Sequence, residues 1–411
     1  MTNIKKIPGG VCAPQGFTAN GIHCGIRRNS SKPDLALLLS EVPAAAAAVY
    51  TQNLVKGAPL LVTKTHIQNG TARAMICNSG NANTCNADGV AVAEAMCALV
   101  QEHTGVAAEN VIVASTGVIG VPLPLEPIKN GMAALTKGLS ANGTEAAKAI
   151  MTTDTYAKEC AVEVALSGGA KCRIGAMAKG SGMIHPNMAT MLAFVTTDAA
   201  IAPQALADML KSVTDDTFNM VSVDGDTSTN DMCCIMANGL AGNSEITAQG
   251  EDYQTLKAAL YHVLEDLSKK LAGDGEGATK LITCKVTGAK SKEDARKLAK
   301  SVIGSSLLKC AVFGADANWG RVLCALGYAG ADVDVTKIDV QFCSEGGSVA
   351  VCEQGAGLPF SEELAAKVLA AKEIDILVSC GDGTPQDGGE ATAWGCDLTY
   401  DYVKINGDYR T

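Results

Sequence analysis

The chain has 411 residues, 47% of them apolar and 18% charged, so it is globular rather than disordered and long enough for one large domain or two to three ordinary ones. A formal net charge of −10 excludes a general electrostatic grip on nucleic acid, which needs a basic face. No run approaches the roughly 18 uninterrupted apolar residues of a membrane span, and Met1-Thr-Asn-Ile-Lys-Lys6 is not followed by the apolar core of a secretory signal, so the cytoplasm is the expected compartment.

In chain order, short apolar runs alternate with helical patterns, which predicts a mixed α and β protein. The alanine run 44–48 has helical propensity, but it follows Pro43 and runs into Val49-Tyr50-Thr51, and a strand is the preferred reading. A strand over 72–77 precedes a helix over 90–103. A strand over 111–115 precedes a helix over 125–139. Strands follow at 161–166 and 192–196, then helices at 203–212, opened by Pro203, and at 253–271. The remainder reads as strand 280–286, helix 292–303, strand 338–343, helix 362–371 and strand 374–380. Ser291 with Asp294, and Ser361 with Glu362 and Glu363, look like helix caps.

The sixteen cysteines are scattered, several inside what read as apolar strands (Cys77, Cys160, Cys284, Cys310, Cys343 and Cys380). No CxxC pair occurs, and Cys233 and Cys234 are adjacent, so reduced thiols acting as small hydrophobes fit best. The five histidines are isolated and no HExxH is present, so no metal is expected.

Three segments concentrate glycine and small polar residues: Asn78-Ser-Gly-Asn-Ala-Asn83, Ser222-Val-Asp-Gly-Asp-Thr-Ser-Thr-Asn-Asp231 and Gly273-Asp-Gly-Glu-Gly-Ala-Thr-Lys280. Such loops on a rigid sheet either make ordinary turns or line a site. Familiar motifs fail in them. Gly277-Ala-Thr-Lys280 has the wrong order for a phosphate loop, and Gly225 is in the wrong place for an EF-hand. Gly381-Asp-Gly383 lacks the third glycine of a dinucleotide fingerprint.

A further stretch, Lys179-Gly-Ser-Gly-Met-Ile-His-Pro-Asn-Met-Ala-Thr-Met-Leu-Ala-Phe-Val195, leads through glycines, Pro186 and Asn187 into a hydrophobic strand, with Thr190 at the junction. By composition alone, Thr190 is a threonine opening a strand, Gly117 a turn glycine, and Lys179 and Glu276 surface charges. The stretch resembles the self-cleavage site of the ornithine acetyltransferase family, the bifunctional glutamate N-acetyltransferase/ornithine acetyltransferases. The likeness extends over nearly the whole chain. It includes the three polar segments, Ser115-Thr-Gly-Val-Ile-Gly120, Met151-Thr-Thr-Asp-Thr155, Asn318-Trp-Gly-Arg321, Ala391-Thr-Ala-Trp394 and the closing Asp401-Tyr-Val-Lys-Ile-Asn-Gly-Asp-Tyr-Arg-Thr411.

The resemblance implies a layered α-β-β-α-type sandwich like that of self-cleaving N-terminal-nucleophile enzymes. It implies a cut between Ala189 and Thr190, giving an α chain 1–189 and a β chain 190–411 that remain intertwined. Thr190 is then the nucleophile, and its freed α-amine, with an unperturbed pKa of about 7.7–8.0, is suited to act as base. Thr116 and Gly117 would form the oxyanion hole. Substrate contacts fall to Thr153, Lys179, Thr190, Glu276, Asn406 and Thr411, with Lys179 suited to a carboxylate and Glu276 to an ammonium. The tail departs slightly from the family, with Gly407 where alanine is usual.

The implied reaction is ping-pong acetyl transfer from N-acetylornithine to glutamate, a recycling step of arginine biosynthesis, in an α2β2 heterotetramer with no cofactor. Some members also take acetyl from acetyl-CoA, and the resemblance leaves that second donor open. Two other readings stand beside it. One is a self-cleaving hydrolase or aminopeptidase, in which water accepts the acyl group. The other is an uncut, non-catalytic amino-acid-binding protein.

Overall fold

The computed structural model describes residues 4–27, 32–185, 191–381 and 388–408. Two mixed sheets organise the chain, one of nine strands and one of seven. Along the first, Lys5–Lys6 pairs with Lys158–Ala165, followed by Lys171–Lys179, Leu192–Thr197, Met232–Ala237, Leu35–Tyr50, Thr71–Asn81 and Val111–Val118; Phe17–Ile22 also pairs with Leu35–Tyr50. The second sheet runs Ala356–Gly357, Gly347–Glu353, Ile338–Ser344, Glu373–Cys380, Leu281–Ala289, Gly389–Cys396 and Val221–Ser222. The expected mixed α/β sandwich is therefore present.

The central strands of the first sheet are buried on both faces, which is why Leu192–Thr197 and Met232–Ala237 read as continuous apolar runs without alternation. On one face Phe194, Cys234 and Met236 pack with Met75 and Cys77. On the other, Val195, Cys233 and Ile235 meet the helices Pro203–Asp216 and Glu251–Gly273. The second helix supplies Leu256, Leu260, Val263, Leu264, Leu267 and Leu271 at helical spacing. It also touches Leu281–Ala289 and Gly389–Cys396, so it lies against both sheets.

The second sheet is covered on one face. In Glu373–Cys380, Ile374, Ile376 and Val378 point into a core completed by the helices Lys292–Gly304, Ser306–Phe313, Trp319–Gly327 and Glu362–Leu369, while Glu373, Asp375 and Leu377 point outward. Ser291 and Ser361 cap their helices as expected, accepting from the N–H groups of Asp294 and Leu364.

The alanine run is a strand. Ala45, Ala46, Ala47 and Ala48 pair with Ala237, Met236, Ile235 and Cys234, and Ala44 pairs with Ala72. Pairing on both sides overrides the helical preference of alanine, and Pro43 falls where the register against Thr71–Asn81 shifts. One expectation is corrected. Cys310 is not in a strand; it lies exposed in the helix Ser306–Phe313, whose short apolar run has helical period. All sixteen cysteines are free thiols, ten of them buried. Among the described residues no helix is long and apolar enough to cross a membrane.

Candidate active site

The first sheet brings together segments far apart in sequence. Lys171–Lys179 and Leu192–Thr197 are antiparallel, with Lys179 opposite Leu192, so the chain leaves the sheet after Lys179 and returns beside it at Met191. Ala189 and Thr190 lie outside the described residues, as does Thr411. Met191, the residue joined to Thr190, lines a cavity of about 160 Å³. The same cavity is lined by Thr116, Gly117, Thr153, Lys179, Glu276 and Asn406, so every described residue of the expected site meets there.

Thr116 and Gly117 lie near the end of the strand Val111–Val118, which runs parallel to Thr71–Asn81. Side-chain amides fix this corner. Ser115 Oγ donates to Asn78 Oδ1 at 2.6 Å, and Asn78 Nδ2 donates to the Asn81 carbonyl at 2.9 Å. From the 222–231 loop, Asn230 Nδ2 donates to the carbonyls of Ala82 (2.6 Å) and Ser115 (3.0 Å). Gly117 has φ 136°, and a Cβ there would stand 2.3 Å from the backbone carbon of Gly80. Only glycine permits this turn against the neighbouring strand.

The cavity wall also carries charged side chains. Lys179 is 7% and Glu276 8% exposed, so neither is a surface charge. Lys179 Nζ lies 3.5 Å from Thr116 Oγ1. Burial pushes the Lys179 ammonium below its ordinary pKa, opposed by the nearby Asp154 carboxylate. Glu276 accepts from Asn406 Nδ2 at 2.7 Å, and its backbone N–H donates to the Ser181 carbonyl at 3.1 Å. A Cβ at Gly182 would fall 2.4 Å from the Glu276 carboxyl, so that glycine gives the carboxylate its room. Asn406 belongs to the last helix, Tyr400–Gly407, which Tyr402 holds by donating to Asp224 Oδ2 at 3.2 Å. Asp224 also accepts from the N–H groups of Met183 (2.6 Å) and Ile184 (2.8 Å), fixing the segment that leads away from Lys179.

Behind this wall lies a group that the sequence did not single out. Asp154, Lys158 and Asp274 are buried together, with Lys158 Nζ 2.7 Å from Asp154 and 2.5 Å from Asp274. Burial alone would raise the Asp154 pKa. The Lys179 and Lys158 charges and the Gly180 N–H outweigh it and hold Asp154 down at about 2. The available signal was the position of Asp154 and Asp274 inside two of the polar motifs. A lysine opening a strand gave none, since lysines are mostly exposed.

Chemically, the cavity offers a hydroxyl and a glycine backbone near a strand end, together with the Lys179 ammonium and the Asp231 and Glu276 carboxylates. It can hold a small molecule bearing both charges and polarise a carbonyl placed between them.

Comparison with known proteins places the chain in a family. The model of the ArgJ family matches residues 18–411. The arginine biosynthesis bifunctional protein ArgJ of Symbiobacterium thermophilum is 52% identical over 411 residues, covering 99% of this chain and 100% of that protein. Its namesake from Bacillus subtilis is 47% identical over 410 residues, covering 99% and 98%. Among solved structures, the crystal structure of arginine biosynthesis bifunctional protein ArgJ from Bacillus halodurans superposes with a TM-score of 0.50 at 47% identity. It covers 54% of this chain and 100% of its own.

Proposed function

The chain belongs to the ArgJ family, and on that premise we propose that it is an acetyltransferase moving acetyl from N-acetylornithine to glutamate through an acetyl ester on Thr190. The observation that carries this reading is the convergence of Thr116, Gly117, Thr153, Lys179, Glu276 and Asn406 on one cavity whose wall includes Met191.

The nucleophile is made by self-cleavage. Thr190 Oγ attacks the carbonyl carbon of Ala189, the bond to the Thr190 nitrogen breaks, and water hydrolyses the ester, leaving a carboxylate on Ala189 and a free amine on Thr190. A matched length supports the cut: 54% of 411 residues is about 222, the length from Thr190 to Thr411. In turnover, the α-amine takes the hydroxyl proton while Oγ attacks the acetyl carbonyl. The Thr116 hydroxyl and the Gly117 N–H donate to the oxyanion. Ornithine leaves with that proton on its amine. Glutamate's amine then attacks the ester carbonyl and restores the Thr190 hydroxyl. Lys179 and Glu276 read the substrate's carboxylate and ammonium, and Thr153, Asn406 and Thr411 complete the contacts. Assembly as an α2β2 heterotetramer in the cytoplasm belongs to the same reading.

The test follows labelled acetyl from N-acetylornithine. Its appearance on glutamate is expected. Release as acetate whether or not glutamate is present would make the protein a hydrolase, and binding with no turnover a non-catalytic binder. Replacing N-acetylornithine by acetyl-CoA in the same assay tests for the second donor.

A further inference from the structure

Lys158 is wholly buried, and its ammonium is shared between Asp154 Oδ1 at 2.7 Å and Asp274 Oδ2 at 2.5 Å. Each carboxylate also holds backbone. Asp154 accepts from the N–H groups of Gly180 (2.7 Å) and Thr152 (2.9 Å). Asp274 accepts from the N–H of Thr155 at 3.0 Å and from the Thr155 hydroxyl. Ser181 Oγ donates to the Asp274 carbonyl at 2.7 Å, and Glu276 N–H donates to the Ser181 carbonyl. Three substrate-facing residues hang from these bonds. Thr153 lies between Thr152 and Asp154, Lys179 precedes Gly180, and Glu276 is two residues past Asp274. The first two precede position 190 and the third follows it.

Burying such charges costs desolvation that a well-packed apolar group would avoid, so stability is a poor reason for them. What an ammonium between two carboxylates adds is direction: each oxygen is committed to a fixed set of donors. We propose that Lys158 is a positioning residue for the acetyl-transfer site, holding the segments that carry Thr153, Lys179 and Glu276 in one arrangement across position 190 through Asp154 and Asp274. The inference rests on the reading of the cavity as the substrate site.

It has an electrostatic consequence. The Lys179 ammonium is surrounded by Asp154, Lys158, Asp231 and Cys77, with the Thr116 hydroxyl beside it and Glu276 in the same cavity. After burial, Lys158 is the neighbour that pushes Lys179 down, while the Asp154 and Asp231 carboxylates push it up. Removing the Lys158 charge therefore moves Lys179 deprotonation to higher pH.

The test is the double variant Lys158→Met/Asp274→Asn, which removes one charge of each sign. Once the urea midpoint and the cut fraction show a folded, processed protein, kcat/KM for N-acetylornithine is measured against pH. The expected result is a fall on the order of tenfold or more, as for misplaced substrate contacts, with the alkaline limb shifted upward. A folded variant within about twofold of the parent, with an unmoved limb, overturns the proposal. If the double variant does not fold, Asp274→Asn alone replaces it, since that variant keeps the Lys158–Asp154 pair. Hydrogen exchange then gives the answer without turnover. Peptides covering 151–156, 179–183 and 273–277 should lose protection together, and unchanged protection in all three overturns the proposal. A parent that neither transfers acetyl nor binds ornithine refutes the functional reading instead, and the exchange result still decides whether the Asp154–Lys158–Asp274 group couples the three segments.

Discussion

Asn406 Nδ2 donates to Glu276 Oε2 at 2.7 Å, tying the last helix of the chain to the loop that follows its longest one. The amide's other described bond, to the Tyr402 carbonyl at 3.1 Å, stays within the helix. The C-terminal helix thus closes one side of the cavity, held by this charge-assisted contact and by that of Tyr402 with Asp224. Such a bond contributes about 1.5–3 kcal/mol when one partner is charged. Glu276→Gln and Lys179→Met should each raise KM for N-acetylornithine and glutamate by about ten- to a hundredfold. Asn406→Ala should have a smaller effect in the same direction. Steady-state kinetics on fully processed protein check this, and values of kcat/KM within about twofold of the parent for both charge variants would refute the substrate roles.

Maturation gives the next prediction. Purified protein should run as two fragments on a denaturing gel, the larger beginning Thr-Met-Leu-Ala by N-terminal sequencing. Thr190→Ala removes the attacking hydroxyl and should stay as one inactive band. An uncut parent with full activity is incompatible with a free Thr190 amine acting as base.

Thr116 and Gly117 make a separable pair. Thr116→Ala should lower turnover by roughly a hundred- to a thousandfold, with little change in ornithine binding by calorimetry, as for the loss of one preorganised donor. Gly117→Ala is different in kind. Its backbone φ of 136° disfavours any side chain, and the new Cβ would press on Gly80. That variant should lose thermal stability as well as activity. Thr116→Ala, whose parent side chain is partly exposed, should melt close to the parent. A Thr116→Ala protein with parental turnover would remove that hydroxyl from the chemistry.

The sequence was most legible where one face of an element is apolar. Leu256, Leu260, Val263, Leu264, Leu267 and Leu271 recur at helical spacing, and the helix they form is the longest in the chain. The strand Lys171–Lys179 gave no such sign, because it begins and ends with lysine and carries Gly175 at its centre. The reason for that glycine is tertiary: a Cβ there would stand 2.0 Å from the Gly10 carbonyl oxygen. At the site, family likeness named the residues that face the cavity, and those described do converge. Composition alone had put Lys179 and Glu276 on the surface, and both are buried. The Lys158 network stayed hidden because its partners lie 4 and 116 positions away, and nothing local to a lysine marks it as buried.

His185 supplies a prediction in pH. It lies five positions before Thr190 at the edge of the described segment, with Nδ1 2.9 Å from Ser222 Oγ. Burial, and then the neighbouring charges of Lys300 and Lys309, push the imidazole down to about 4. The folded protein therefore keeps this ring neutral at pH values where the unfolded chain, near pKa 6.5, takes up a proton. A group depressed in the fold stabilises it fully above the unfolded pKa. That contribution is lost as pH falls from about 6.5 toward about 4. His185→Gln retains an amide able to reach Ser222 and has no titration in this window. The urea midpoint of the processed parent should fall between pH 7 and pH 4.5 by more than that of the processed variant, measured at one protein concentration because assembly also affects it. Equal falls in the two proteins would mean that His185 is not held neutral, and that protonating it does not strain its contact with Ser222.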